Sequence, residues 1–354
     1  MKIKLTHGAD SSAEIVVTID EAAFKKHHEG GMKKIREVAE VDGFRKGHVP
    51  DNIIMSKYGE MAVYEEMADM AIQSTFADAI KEAKIDAIGR PDIMVTKLAI
   101  GNDFEYRIKV AIMPTLELPD YIKVAKSVKI EDAVVTEKDI DEVMLELRRM
   151  RAHKELHSDG SEHDNADEDH NKAHSQVDKI EEGDLPELTD EYVTSLGDFK
   201  TVSELRAKVT ENLQLEKDQK TKEKRRNALL EKIAESSMGV LPEVLIESES
   251  DRMLAQMKGD VAQMGGKFED YLTYIKKTES DLRTEWKPDA EKRAKIQIIL
   301  NQIAKEKNIE PDDNVLKLET KRLMDTYSDA EEIRAREYMH QMLLNEEVLK
   351  VLEA

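Results

Sequence analysis

Cysteine is absent from this chain of 354 residues. That one absence excludes disulfides, thiolate metal sites and cysteine nucleophiles together, and it fits a reducing cytosol as well as any compartment. Aromatic residues are scarce, at 5% with a single tryptophan, whereas 36% of residues are charged. Such a composition favours long helices with wet surfaces over one large aromatic core. No apolar run approaches the roughly 18 residues of a membrane helix. The opening Met1-Lys2-Ile3-Lys4-Leu5 carries no apolar signal-peptide core and no cleavage site. The expectation is a soluble cytoplasmic protein with no membrane contact. Catalytic signatures are missing as well: there is no P-loop, no dinucleotide-binding GxGxxG, no HExxH and no GxSxG. Carboxylate pairs abound, but with so many acids chance pairs are certain, so none points to catalysis. No cofactor and no catalytic residue is expected, and ATP-driven work is disfavoured.

What the chain has in abundance is charge of one sign. Lysine and arginine number 54 against 75 aspartate and glutamate, a net −21. This argues against general coating of nucleic acid, so any contact with RNA must be local, at a basic patch. The length suffices for about two or three domains.

Along the chain, Ile3 and Leu5, then Ile15, Val17 and Ile19, alternate with polar residues and predict two strands joined by a turn over 8–12. Asp20 can cap a helix over 21–41. Phe24, Ile35 and Val38 give that helix an apolar side, while Lys25, Lys26, Lys33, Lys34 and Arg36 make it basic. A second helical pattern runs over 51–84, broken near Gly59, with Met61, Tyr64, Ala68, Ala71, Thr75 and Ala79 at three-to-four spacing. Strands over 92–100 and 104–113 follow, joined at Gly101-Asn102-Asp103. The first 115 residues thus read as an α+β domain of order β-β-α-loop-α-β-β.

Between the two helices stands Gly43-Phe44-Arg45-Lys46-Gly47-His48-Val49-Pro50. Gly43 and Gly47 permit positive φ or a close backbone approach, and Pro50 can open the next helix at its first position. A tip of Phe44, Arg45 and Lys46 sets a hydrophobic anchor beside two binders of phosphate or carboxylate. The plainer reading is a helix–helix turn with solvated charges. The octapeptide, however, resembles the ribosome-docking signature of the trigger factor family of bacterial nascent-chain chaperones, Gly-Phe-Arg-x-Gly-x-x-Pro, matched by Gly43, Phe44, Arg45, Gly47 and Pro50. The family usually carries Lys at the position of His48. That departure weakens one cationic contact near neutral pH, where an unperturbed imidazole is mostly uncharged.

The resemblance continues beyond the loop. It implies a ribosome-binding domain at 1–115 and a linker strand and helix at 116–152. Residues 121–130 read as extended, with Ile122, Val124, Val128 and Ile130 alternating. Thr136 and Asp139 cap a helix whose apolar stripe is Ile140, Val143, Leu147 and Met150. The family usually inserts a prolyl-isomerase barrel here. This chain has instead a stretch at 153–180 rich in carboxylates and histidine and almost free of apolar residues, expected to be a flexible acidic linker. His153, His157, His163, His170 and His174 lie in it, and the first and last pairs are spaced i, i+4. That spacing could hold a divalent metal on a helix, but a disordered acidic segment that happens to contain histidine explains it without a site, and no metal site is assigned.

From 181 to 354 the resemblance implies a mainly α-helical chaperone domain with helical arms. Thr201 and Glu204 form a capping box for a helix to about 236, with Leu205, Val209, Leu213, Leu229, Leu230 and Ile233 apolar. Pro242 opens an arm helix to about 264, stopped by Gly265-Gly266. A short helix over 268–276 follows, then a long one with Pro288 as a kink or break. Pro311 begins a helix with Val315, Leu318 and Leu323 apolar, and Ser328 and Glu331 cap the last. Seventeen methionines stand out. Met253, Met257 and Met264 on one arm and Met339 and Met342 on the last helix are candidate client contacts, because methionine adapts to varied partners; each alone reads more readily as an ordinary core position, and only together do they suggest exposed strips. The function implied is an ATP-independent, ribosome-associated holdase without the isomerase domain, its partners the exit-site ribosomal protein, adjacent rRNA and unfolded or nascent polypeptides. Self-association into a homodimer stays open. The alternatives are an isomerase surviving in reduced form and a ribosome-free chaperone or assembly factor.

Overall fold

A computed structural model describes residues 1–45, 47–129, 133–157, 185–327 and 330–354. The chain divides into two compact units, one of residues 1–121 with 231–354 and one of 122–230.

The first unit is built on a four-stranded antiparallel sheet of order β1-β2-β4-β3, where β1 is Lys2–His7, β2 Ser12–Ile19, β3 Ala87–Lys97 and β4 Phe104–Ile112. Ala13, Ile15, Val17 and Ile19 of β2 lie opposite Val110, Ile108, Tyr106 and Phe104 of β4, and all eight are buried. Alternation along each strand thus becomes one apolar face. Helices seal it: α1, Glu21–Phe24, capped by the Asp20 carboxylate accepting from the Ala23 N–H at 2.9 Å; a 3₁₀ turn, Lys25–His27; α2, His28–Val38; and α3, Asp51–Ala83. Phe24 stacks on Phe104 with ring centroids 4.7 Å apart, and the Tyr106 hydroxyl meets Thr75 Oγ1 at 2.7 Å. The expected break in α3 is present, since Gly59 has φ 80° and ψ 161°. Two residues assigned to apolar faces are exposed instead: Val38 at the last turn of α2 and Met61, just past the Gly59 break. The third strand begins at Ala87, earlier than its alternation predicts, with an irregularity between Ile88 and Asp92.

The rest of this unit is helical: α8, Glu243–Gln263; α9, Phe268–Ile275; α10, Glu279–Lys307; α11, Asp313–Thr326; and α12, Glu332–Glu353. Pro242 is the N-cap of α8 rather than its first helical residue. Pro288 does not end α10, which starts on a Thr278–Asp281 capping box absent from the sequence expectations. Asp312, not Pro311, caps α11, accepting from the N–H groups of Asn314 and Val315. The apolar face of α11 is also out of phase with expectation: Leu316 and Thr320 are buried, whereas Val315 and Leu318 are exposed. Glu331 precedes α12 without a side-chain cap bond; Ser328 lies outside the described residues. Gln302 brackets Leu116, donating to its carbonyl at 2.8 Å and accepting from its N–H at 3.1 Å.

Where the chain passes from the first unit into the second, the segment expected to be extended is partly helical: α4 spans Tyr121–Lys126. Tyr121 and Ala125, four apart, are the buried pair, so a helical period overrides the alternation of β-branched residues. Next come α5, Glu137–His157; α6, Asp190–Leu196; and α7, Val202–Ser236. Thr136 and Asp139 cap α5 reciprocally: the Asp139 carboxylate accepts from the Thr136 N–H at 2.7 Å. Lys217, 2.7 Å away, and Thr136 hold the Asp139 carboxyl well below the usual carboxylate range. Ile140, Met144, Val193, Leu205 and Val209 form a core; Met150, expected in it, is exposed. The Thr201–Glu204 box is half formed, because the Glu204 carboxylate takes the Lys200 N–H at 2.7 Å. Helix α5 continues past His153 to His157, into the stretch expected as linker. Residues 158–180 of that stretch, with His163, His170 and His174, lie outside the described residues, as do the side chains of His153 and His157.

Candidate functional site

The loop from Ala39 to Pro50 joins α2 to α3, and the chain braces both of its ends. Pro50, at φ −62° and ψ 147°, is the N-cap of α3 rather than its first residue. The Arg36 guanidinium pairs with Asp51, tying the last turn of α2 to the first turn of α3. The Gly47 N–H donates to the Arg36 carbonyl at 3.0 Å. At the other side, Lys57 Nζ donates to the Glu40 carbonyl at 2.6 Å, and the Tyr58 hydroxyl accepts from the Glu40 N–H at 3.1 Å. Val49 is 1% exposed and pins the exit of the loop in the core.

Within those braces the tip folds on itself. The Phe44 N–H donates to the Val41 carbonyl at 3.1 Å and the His48 N–H to the Arg45 carbonyl at 3.0 Å. Gly43 and Gly47 sit at φ 88° and 82°, and a Cβ on either would meet nothing within 4 Å. Their glycine requirement is therefore one of backbone conformation, not of space. The result is a turn that holds Phe44 outward, at 43% exposure, beside exposed Arg45 and His48. Lys46 lies outside the described residues. Arg45 holds no ion pair among them, nor do Lys26 and Lys33 on the basic helical stretch, whereas Lys25 pairs with Glu21 at 2.6 Å and Lys34 with Glu66 at 3.5 Å. Arg45 beside the exposed ring, and Lys26 and Lys33 on the helical stretch before the loop, are thus open to an outside partner. An aromatic anchor with unpaired guanidinium and ammonium groups can enter an apolar depression bordered by phosphates or carboxylates.

Glu40, Lys57 and Tyr58 are the bracing residues that sequence reading missed. The one signal for them was an aromatic immediately before a mid-helix glycine, Tyr58-Gly59. Exposed Val38, Tyr58 and Met61 are also apolar neighbours in sequence of the braced segment.

The methionines divide. Met257 packs against the cluster of Leu254, Phe268 and Leu282, and Met253 and Met339 are half-buried. Met264, at the C-cap of α8, is 84% exposed, and Met342 is exposed on α12. Tyr274 on α9 is as open as Met264 and escaped notice because its apolar neighbours Leu272 and Ile275 made it read as part of a core-facing helix. Among the described residues no group of three or more histidines and carboxylates could hold a metal ion, and no helix is long and apolar enough to cross a membrane.

Residues 1–147 match the family model for bacterial trigger factor protein, and residues 201–352 match the model for its C-terminus. Among similar curated proteins, the trigger factor of Agathobacter rectalis is 25% identical over 96% of this chain and 90% of its own length. That of Geobacillus kaustophilus is 24% identical over 92% and 91%. A solved structure described under promiscuous substrate recognition in folding and assembly by the trigger factor chaperone shares the fold, with a TM-score of 0.60 at 18% identity over 100% of this chain and 99% of that one. Its N- and C-terminal parts matched in order, this chain belongs to the bacterial trigger factor family, with an architecture that fits a member without the middle domain.

Proposed function

We propose that this protein is an ATP-independent, ribosome-associated holdase of the cytoplasm that has no isomerase activity. The loop of residues 43–50 docks at the polypeptide exit. Phe44 enters an apolar depression on a large-subunit ribosomal protein, and Arg45 and Lys46 pair with carboxylates or rRNA phosphates. Residues 1–115 form the docking domain, and residues 181–354 shield emerging chains through many weak apolar contacts. Met264 and Met342 are the best placed of the five candidate methionines for such contacts, since both are exposed.

The observation that carries this reading is the outward Phe44 on a loop braced at both ends, a costly arrangement for a plain turn. Isomerase activity would need an aromatic-lined pocket. No Phe, Tyr or Trp occurs between His153 and Gln176, and the one tryptophan, Trp286, packs with the Leu254–Phe268–Leu282 cluster.

The test is co-sedimentation with ribosomes. The chain with Phe44, Arg45 and Lys46 all replaced by alanine is expected to stay in the supernatant while keeping its ability to suppress aggregation of an unfolded client. His48→Lys is expected to tighten binding modestly. Undiminished co-sedimentation of the triple variant would remove the docking role and leave a ribosome-free chaperone.

A further inference from the structure

The middle of α7 is a basic stretch in an acidic chain: residues 217–226 hold six cations and two acids, against a net −21 overall. Thr221, Lys224, Arg225 and Ala228 fall at three- and four-residue spacing and so share one face of the helix. Val128 and Lys129 lie across from that face, and the six residues line a cavity of about 100 Å³. Both sides belong to the unit of residues 122–230. Two donors there are unspent. The Arg225 Nε–H is buried and makes no hydrogen bond, an unfavourable state that any acceptor within reach relieves. The Thr221 hydroxyl has no partner among the described residues either, whereas Thr75, Thr210, Thr273, Thr284, Thr320 and Thr326 all give theirs to the carbonyl four residues back. Lys224 is engaged, but neither Lys129 nor Arg225 has an ion pair among the described residues. Nor does a described acid line the cavity. On α7, Asp218 accepts from Gln214 Nε2 at 2.9 Å. Glu223 falls on the opposite side of the helix, two residues from both Thr221 and Arg225. Glu231, one turn beyond Ala228, pairs with Lys292 at 2.6 Å.

We propose that this cavity binds a phosphate group, free or at the end of a small phosphomonoester. Arg225 receives the ion side-on through Nε–H and an adjacent Nη–H, after a rotation about its terminal side-chain bonds. Lys129 meets it from the facing segment, and the Thr221 hydroxyl donates from the helix. Donors converging from two chain segments suit a tetrahedral oxyanion better than a planar carboxylate, which Arg225 alone would saturate. A nucleic-acid backbone fits less well, since the lining contains no aromatic ring on which a base could stack. The bound ion ties residues 128–129 to α7, so it stabilises the folded chain by mass action. The site is independent of the docking and client roles.

Calorimetric titration of the intact chain at constant ionic strength tests this, with inorganic phosphate, adenosine monophosphate, acetate and a short RNA oligonucleotide as probes. Phosphate is expected to bind one per chain and acetate at least about tenfold more weakly, the difference that one charged hydrogen bond supplies. Adenosine monophosphate binding as well as phosphate identifies a site for phosphomonoesters; phosphate binding alone identifies a site for the free ion. Arg225→Gln is expected to weaken phosphate at least about tenfold, and Lys222→Gln, on the same helix but outside the lining, to leave it unchanged. A thermal melt checks that each variant folds. Should Arg225→Gln fail to fold, Lys129→Gln and Thr221→Val carry the same expectation from an exposed and a half-buried position. Phosphate should also raise the melting temperature of the unaltered chain more than that of these variants, which removes the general stabilisation that such salts give any protein. No binding to the intact chain, as would follow if Glu131 or Asp132 already filled the cavity, overturns the proposal. Acetate binding as well as phosphate overturns it, and so does unchanged affinity in folded lining variants. An RNA oligonucleotide that displaces phosphate at lower concentration than adenosine monophosphate does overturns it in favour of nucleic acid.

Discussion

Tyr121 is 7% exposed and donates its hydroxyl to Glu306 at 2.9 Å, with the Lys307 ammonium 5.8 Å from its ring centroid. Burial first, and the Glu306 carboxylate second, push the phenol up to about 12 from its ordinary value near 10. The folded state therefore holds the neutral phenol. The stability this contributes is complete below pH of about 10 and is lost as pH rises through about 12. Tyr121→Phe is expected to cost about 1 kcal/mol at neutral pH, the net value of one hydrogen bond. Denaturant melts should show that gap closing as pH climbs through the same window. Gly59 is a second position where one residue decides. Its φ of 80° and ψ of 161° lie where side chains are not tolerated, and a Cβ there would touch nothing within 4 Å. Gly59→Ala should thus cost about 1–3 kcal/mol through backbone strain alone, read as a lowered denaturation midpoint. The glycine break was readable from sequence because glycine is conspicuous inside a helical pattern. The Tyr58 and Lys57 braces on Glu40 were not, since bonds to a backbone carbonyl or N–H leave no mark in residue identity.

Among the helices, α11 shows where reading by apolar residues fails. Its buried stripe is Leu316 and Thr320, continuing to half-buried Leu323. A threonine that hides its hydroxyl on the preceding turn packs as an apolar residue, so a search for aliphatics alone took Val315 and Leu318 and placed the face wrongly. Leu316→Ala is expected to cost about 2–4 kcal/mol through a cavity, and Leu318→Ala less than about 0.5 kcal/mol. Thermal denaturation of the two single variants checks the phase, and equal losses would restore the other face. Similar physics governs α4, where burial of Tyr121 and Ala125 at helical spacing overrode the alternation of Ile122, Val124 and Val128. By contrast, the strands β2 and β4 and the two-helix frame of the loop were legible. There the period of burial, the turn glycines and the Asp20 cap all agreed.

At the scale of the whole chain, a net charge of −21 coexists with exposed apolar residues such as Met264, Tyr274, Ile333 and Val38. Self-repulsion of this size discourages association of a protein that keeps apolar surface open. It also means that the molecule as a whole repels RNA, so attraction to a ribosome must come from the few unpaired cations of the 43–50 loop and of the helical stretch before it. Binding should accordingly weaken as salt rises, with a shallow slope set by a small number of phosphate contacts. The family assignment rests on both ends of the chain, whereas the docking role rests on the loop. The most direct test is a binding isotherm of labelled protein on purified ribosomes at fixed salt, comparing the unaltered chain with the Phe44→Ala, Arg45→Ala, Lys46→Ala variant at matched thermal stability. If the loop docks, affinity falls by at least about tenfold, as expected when an interface loses its aromatic and arginine anchors. Equal affinity in a variant that melts at the same temperature would contradict it.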